Sequence, residues 1–219
     1  TSEELSAEVL KMLKSFVNDE EIKSIIITVP AKFTSNQKDA TAKAATLAGF
    51  EHYELLQEPV AASFAYGMES NKVNGFWIVF DFGGGTFDAA LLKVEDGIMK
   101  VIDTEGNNHL GGKDLDYAII DKLFMPYLTQ NYNIDESMND QARKIVLRET
   151  LKNYAEISRI QLSFKEKYSL LTDLDELGKD DNGEDIVMDL TITKEGIEKC
   201  ISPIYQKAVD LTKELINRN

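Results

Sequence analysis

The stretch FDFGGGTFD, residues 80–88, constrains this chain more than any other, because three consecutive glycines separate two apolar runs and an aspartate stands on each side. Glycines leave the backbone N–H groups of a turn unshielded, so Gly83, Gly84 and Gly85 can form a concavity that accepts an anion. Thr86 would add a hydroxyl donor, while Asp81 and Asp88 could position a hydrated divalent cation. A Walker-type loop is excluded: it needs a Lys-Ser/Thr pair and an immediate helix, whereas Thr86 leads into the strand-like run FDAALL and the next lysine is Lys93. A dinucleotide-binding fingerprint fails for want of the same helix. Taken alone, three glycines in a hairpin are more often only a flexible turn.

The surrounding chain alternates helix and strand signals. Thr1 with Glu4 forms a capping-box pattern, followed by apolar residues at helical spacing, Leu5, Val9, Met12, Leu13 and Phe16. SIIITVP (24–30) reads as a strand buried on both faces. Thr34 with Gln37 opens a second helix, over 36–48, which Gly49 stops. HYELLQ (52–57) predicts a strand, and a short helix over 60–67 starts after Pro59 and ends at Gly67. ESNKVNG (69–75) is the candidate linker. Strands over 76–82, 86–94 and 98–104, the last two joined by an Asp-Gly turn, make an antiparallel meander. Helices follow near 113–130 and 139–164, then the runs YSLLTDL and DIVMDLTI around an acidic turn, then a final helix over 194–217. That acidic turn, DELGKDDNGE, is expected to be a solvated Asn-Gly hairpin, because Gly178 stands where a calcium-binding loop needs an acid. The fold class is therefore α/β.

Charge and cysteine content narrow the function. A formal charge of −14 on 219 residues repels nucleic acid and anionic membranes. No apolar run approaches the ~20 residues that span a bilayer, and the acidic start TSEELSAEV is unlike a leader peptide. A soluble, cytoplasmic protein is expected. Cys200 is the lone cysteine, and His52 and His109 are the two histidines, so an internal disulfide, a zinc cluster and a Cys/His nucleophile are excluded. Cys200 falls among apolar positions of the final helix and reads as a core thiol.

One more carboxylate draws notice. In QEPVAA, Glu58 ends a strand just before a Pro-started helix, where it could orient a water for in-line attack on a phosphate or simply cap the helix.

ITVPAKFTSNQKDAT, LLQEPVAASFAYG, VFDFGGGTFDAALLKVEDG and GNNHLGGKDLD, in that order and spacing, closely resemble the ATPase domain of the seventy-kilodalton heat-shock protein family of chaperones (DnaK-like). The resemblance implies an actin-like (ribonuclease H-like) α/β fold of two lobes around a nucleotide cleft, incomplete here. It implies that residues 1–74 form part of inner lobe I, that 75–111 and 203–219 form part of inner lobe II, and that 112–202 form outer lobe II. It implies ATP or ADP, Mg2+ and K+ as cofactors. Glu58, Asp81 and Thr86 would be catalytic, with Glu58 on the hydrolytic water. Gly83, Gly84, Gly85 and Thr86 would face the phosphates, Asp81 the water shell of magnesium, and Asp88 a monovalent cation or the water network. Gly111 and Gly112 would lie near ribose and phosphates, and Glu156, Arg159 and Ser163, sharing one helix face, would hold adenosine. Pro30 would be the switch proline that couples hydrolysis to lobe motion, and Lys38 stands where the family carries a relay arginine.

The chain departs from the family pattern at Lys32, where an aromatic is common, at Lys38, and at Lys113, where an acid follows the glycine pair. A lysine supplies charge without a bidentate fork. The first phosphate loop, the outer subdomain of lobe I and the late glycine turn of the family are not in the sequence, which reads as an excised piece of a longer chaperone. The parent is expected to hydrolyse ATP to control binding and release of unfolded polypeptides, with a J-domain co-chaperone and a nucleotide exchange factor as partners. The isolated chain is expected to be inactive. The alternative is a non-hydrolysing nucleotide clamp acting as a co-chaperone or exchange factor; a sugar kinase or filament protein of the same superfold fits the QEPVAA and HLGGKDLD motifs less well.

Overall fold

A computed structural model describes residues 1–17, 22–69, 74–96 and 98–219. Residues 70–73 of the candidate linker, and Gly97 of the Asp-Gly turn, lie outside the described residues. The chain divides into two compact units, Thr1–His109 with Ala208–Asn219, and Leu110–Lys207.

The first unit opens with α1 (Ser2–Ser15), whose Thr1/Glu4 capping box forms as the sequence predicts. Strand β1 (Ser24–Val29) pairs in parallel with β2 (His52–Gln57), and α2 (Ser35–Leu47) connects them. Parallel strands need such a crossover, so β1, α2 and β2 make one βαβ unit. The second capping box, Thr34 with Gln37, starts α2, and Gly49 at φ 84° closes it. The stripe of α1 is not its buried side: Leu5 and Phe16 are each 70% exposed, and Ala7 is the buried residue. Ala7 packs against Ala48 and Phe50 with Leu10 and Ile25 at the edge, because small side chains let the helices approach closely. Strand β1, expected to be buried on both faces, is covered on one side only, with Ile26 63% exposed.

Helix α3 (Glu58–Glu69) begins on Glu58 itself and runs through Gly67. A glycine costs about 1 kcal/mol in a helix interior, which is tolerable in a helix held by its neighbours. Strands β3 (Gly75–Phe82), β4 (Phe87–Glu95) and β5 (Ile98–Asn107) form the expected antiparallel meander with β4 in the centre. Phe87 to Leu92 are buried without interruption, as a central strand covered on both faces requires.

In the second unit, the helix expected over 113–130 is broken into α4 (Gly112–Ile119), a π turn at Ile120–Phe124 and α5 (Met125–Asn131). Pro126 explains the break: it lacks an N–H for the i→i−4 ladder, and the preceding Met125 N–H reaches back to the Ile120 carbonyl. A short α6 (Asp135–Asn139) precedes α7 (Gln141–Leu162), which packs on α4. Strands β6 (Lys167–Leu171) and β7 (Asp189–Thr193) pair antiparallel. The acidic turn between them is not simply solvated. Asp180 is buried and accepts from the backbone N–H groups of Asn182 and Glu184, each at 2.9 Å, and of Asn133 at 3.2 Å. Asp181 caps α6 through the Glu136 N–H at 2.7 Å and the Ser137 hydroxyl at 2.6 Å. The two aspartates thus serve as internal acceptors.

Helix α8 (Lys194–Asn217) carries Cys200, buried as expected, and burial raises its thiol above the usual range. Among the described residues no helix is long and apolar enough to cross a membrane.

Candidate functional site

The glycine turn joins β3 to β4 and is closed by a hydrogen bond from the Gly83 N–H to the Thr86 carbonyl, 2.9 Å. A Cβ at Gly83 would come within 3.3 Å of that carbonyl, whereas one at Gly84 would meet nothing within 4 Å. The apex is therefore open, with Gly84 exposed, as a backbone concavity requires. Below it, β3 and β4 are in register so that Asp81 lies opposite Asp88 and Phe82 opposite Phe87. Directly opposed residues share one face of the sheet, and two like charges so placed repel.

Glu58, at the first position of α3, joins this pair. Its carboxyl is pushed above the ordinary range by burial and by the charges of Asp81 and Asp88. Asp88 is 1% exposed, and burial raises it too, against the stabilising backbone donors of Ala31 and Lys32. Its Oδ1 accepts from the Ala31 N–H at 2.8 Å. Strand ends β2 and β3, strand β4 and the loop after β1 thus bring three acids to the glycine turn. Among the described residues no three His, Cys, Asp or Glu side chains are close enough to chelate a bare ion. Asp81 and Asp88, opposed across β3 and β4, are the carboxylates that could face a hydrated cation here. Pro30, buried, is the first residue of this loop, and Lys38, half-buried, lies in the first turns of α2.

The acid cluster has a pH signature. A carboxyl raised in the folded state leaves the native protein holding more protons than the unfolded chain, so stability falls as pH rises through the folded value. Glu58→Gln is expected to remove that loss. In metal-free buffer the variant should be more stable than the parent near pH 7.5, and the gain should vanish near pH 4, as measured by urea unfolding at both pH values.

The second group of expected site residues lies in the second unit. Gly111 is the N-cap of α4, and its N–H donates to Asp114 at 2.8 Å. One turn beyond Gly112, Asp116 is 4% exposed and accepts from Arg159 Nε at 2.9 Å. Glu156 lies 4.0 Å from the same guanidinium, and the Ser163 hydroxyl bonds back to the Arg159 carbonyl at 3.0 Å. Glu156, Arg159 and Ser163 thus share the face of α7 that the spacing predicts, and Arg159 ties that face to the Gly111–Gly112 end of α4. Sequence reasoning missed Asp116. The available signal was an acid inside the apolar register of α4, between Leu115 and Ile119, where only a paired carboxylate is tolerated.

A sequence profile of the Hsp70 protein family matches residues 1–218. The chain is 40% identical over 168 residues to "Chaperone protein DnaK" of Thermosipho africanus, covering 75% of this chain and 27% of that protein. It is 42% identical over 166 residues to "Chaperone protein dnaK" of Cyanidium caldarium, covering 74% of this chain and 26% of the relative. "Chaperone protein dnaK1" of Synechocystis sp. is 40% identical over 167 residues, or 74% of this chain and 23% of its own. The chain therefore spans about a quarter of the length of these curated relatives. With one parallel and two antiparallel sheets and their accompanying helices, this α/β chain belongs to the Hsp70 protein family and carries an incomplete form of that family's actin-like fold.

Proposed function

We propose that the chain is part of the nucleotide-binding domain of a cytoplasmic chaperone that hydrolyses ATP to control binding and release of unfolded polypeptides. The observation that carries this reading is the meeting of Glu58, Asp81 and Asp88 at an open glycine turn with Thr86 beside it. The Gly83 N–H is taken by the Thr86 carbonyl, contrary to the expectation that Gly83 donates to phosphate, so the backbone N–H groups of Gly84 and Gly85 and the Thr86 hydroxyl are the neutral donors on offer. The three carboxylates would repel the same phosphate, so the site favours an anion that arrives with its own cation. Asp81 would hold the water shell of Mg2+ and Asp88 a water network or K+; bound magnesium would neutralise charge developing on the transferring phosphate.

Glu58 is suited to orient the attacking water. Its raised carboxyl is a better proton acceptor than a free glutamate at neutral pH. Gly111, Gly112, Glu156, Arg159 and Ser163 would hold the adenosine end, and Pro30 with Lys38 would couple nucleotide state to motion. In this reading residues 1–74 belong to inner lobe I, 75–111 and 203–219 to inner lobe II, and 112–202 to outer lobe II. A J-domain co-chaperone and an exchange factor would act on the whole protein.

Single-turnover hydrolysis by the full-length chaperone tests the reading. The unaltered protein should release phosphate from magnesium-ATP, and Glu58→Gln should slow that step by about 10²-fold while nucleotide affinity is retained. ATP bound without phosphate release by the unaltered protein would instead identify a nucleotide clamp.

A further inference from the structure

The loop that follows β1, Pro30–Phe33, is held from several directions by β4 and the end of β5. The Ala31 N–H donates to Asp88 at 2.8 Å, and Asn108 Nδ2 donates to the Lys32 carbonyl at 3.1 Å. The Lys32 stem runs beside Gly106, where a Cβ would be 3.2 Å from its Cγ, and its Nζ reaches Glu105 at 3.1 Å. Glu105 is no free surface acid. Its side chain is 14% exposed and is also bound by Arg218 Nη1, while Arg218 Nε holds Asp103 at 2.7 Å and Nη2 the Thr104 carbonyl at 2.9 Å. Arg218 therefore fixes the carboxylate that Lys32 must find.

We propose that Lys32 is a positioning residue: its ion pair with the Arg218-anchored Glu105 locks the Pro30–Phe33 loop so that the Ala31 N–H is delivered to Asp88. An exposed lysine pair ordinarily contributes little, because two mobile side chains must be ordered to form it. Here one partner is already ordered, so that cost falls on Lys32 alone. This also gives a local reason for a cation at position 32, since it faces an acid on β5. The inference rests on Asp88 serving the proposed site, yet the hydrogen bond that it concerns exists without nucleotide.

The test is amide hydrogen exchange of the nucleotide-free chain. Lys32→Met should raise exchange at the Ala31 N–H by about tenfold, while Leu91 and Leu92 in β4 keep their protection. Lys32→Arg should restore Ala31 to near its original rate. An unchanged Ala31 rate in Lys32→Met overturns the proposal, as does a rise shared by Leu91 and Leu92 or one that arginine does not reverse. Failure of phosphate release in the full-length protein would count against the functional reading and leave these exchange outcomes as they are.

Discussion

Gly106→Ala is expected to destabilise the first unit by about 2–3 kcal/mol and to disturb Asp88 at the same time. Gly106 lies opposite Asp88 in the β4–β5 register. A Cβ there would fall 2.7 Å from the Phe87 carbonyl and 2.8 Å from Asp88 Oδ1. Neither atom can yield easily. Phe87 is fully buried in the central strand, and Asp88 Oδ1 is the acceptor of the Ala31 N–H. Relief must come from spreading β4 from β5 or from turning the Asp88 carboxylate away, which sacrifices its backbone hydrogen bond. Urea unfolding followed by Trp77, the single tryptophan and a residue of β3, reports on this sheet. Gly84→Ala is the control: its added methyl meets nothing within 4 Å, so stability should change by less than about 0.5 kcal/mol. Equal midpoints for the two variants would show that β4 and β5 have slack that the geometry denies.

The contrast between these glycines also marks what the amino-acid sequence makes legible. Gly84 announces itself through its neighbours, because the GGG triplet and bracketing acids are local features. Capping boxes at Thr1 and Thr34 are local too, and both form where the spacing places them. The meander and the bounds of α8 follow from period and turn chemistry over short windows. What fails is information about partners. Apolar spacing identifies α1 as a helix, but not that Ala7 rather than Leu5 or Phe16 faces α2. A continuous run of β-branched residues identifies β1, but not that Ile26 is left open. Gly106, Lys32 and Glu105 meet only because β5 pairs with β4 and the β1–α2 loop reaches both. For the candidate site, motif residues were readable, while the residues that hold them, Ala31, Lys32 and Asp116, were not.

Asp116 bears the other large expected effect. Arg159→Met should destabilise the second unit by about 2–3 kcal/mol at pH 7.5, somewhat below the ~3–5 kcal/mol for a fully buried pair because the Arg159 side chain is 25% exposed. The loss is not mainly that of an attraction. Removing the guanidinium leaves the Asp116 carboxylate buried on α4 without its side-chain donor, and burial already raises this carboxyl despite Arg159. Losing the cation raises it further, so the penalty should shrink as pH falls and Asp116 takes up a proton. Adding Asp116→Asn to Arg159→Met removes the stranded charge and should recover more than half of the lost stability. A double-mutant cycle read by calorimetric unfolding at pH 7.5 and pH 5 checks both points. If Arg159→Met costs the same at the two pH values, and Asp116→Asn brings no recovery, then Arg159 acts through packing of its stem rather than through its charge. In that case Asp116 would not be the link between the Gly111–Gly112 end of α4 and the Glu156–Ser163 face of α7.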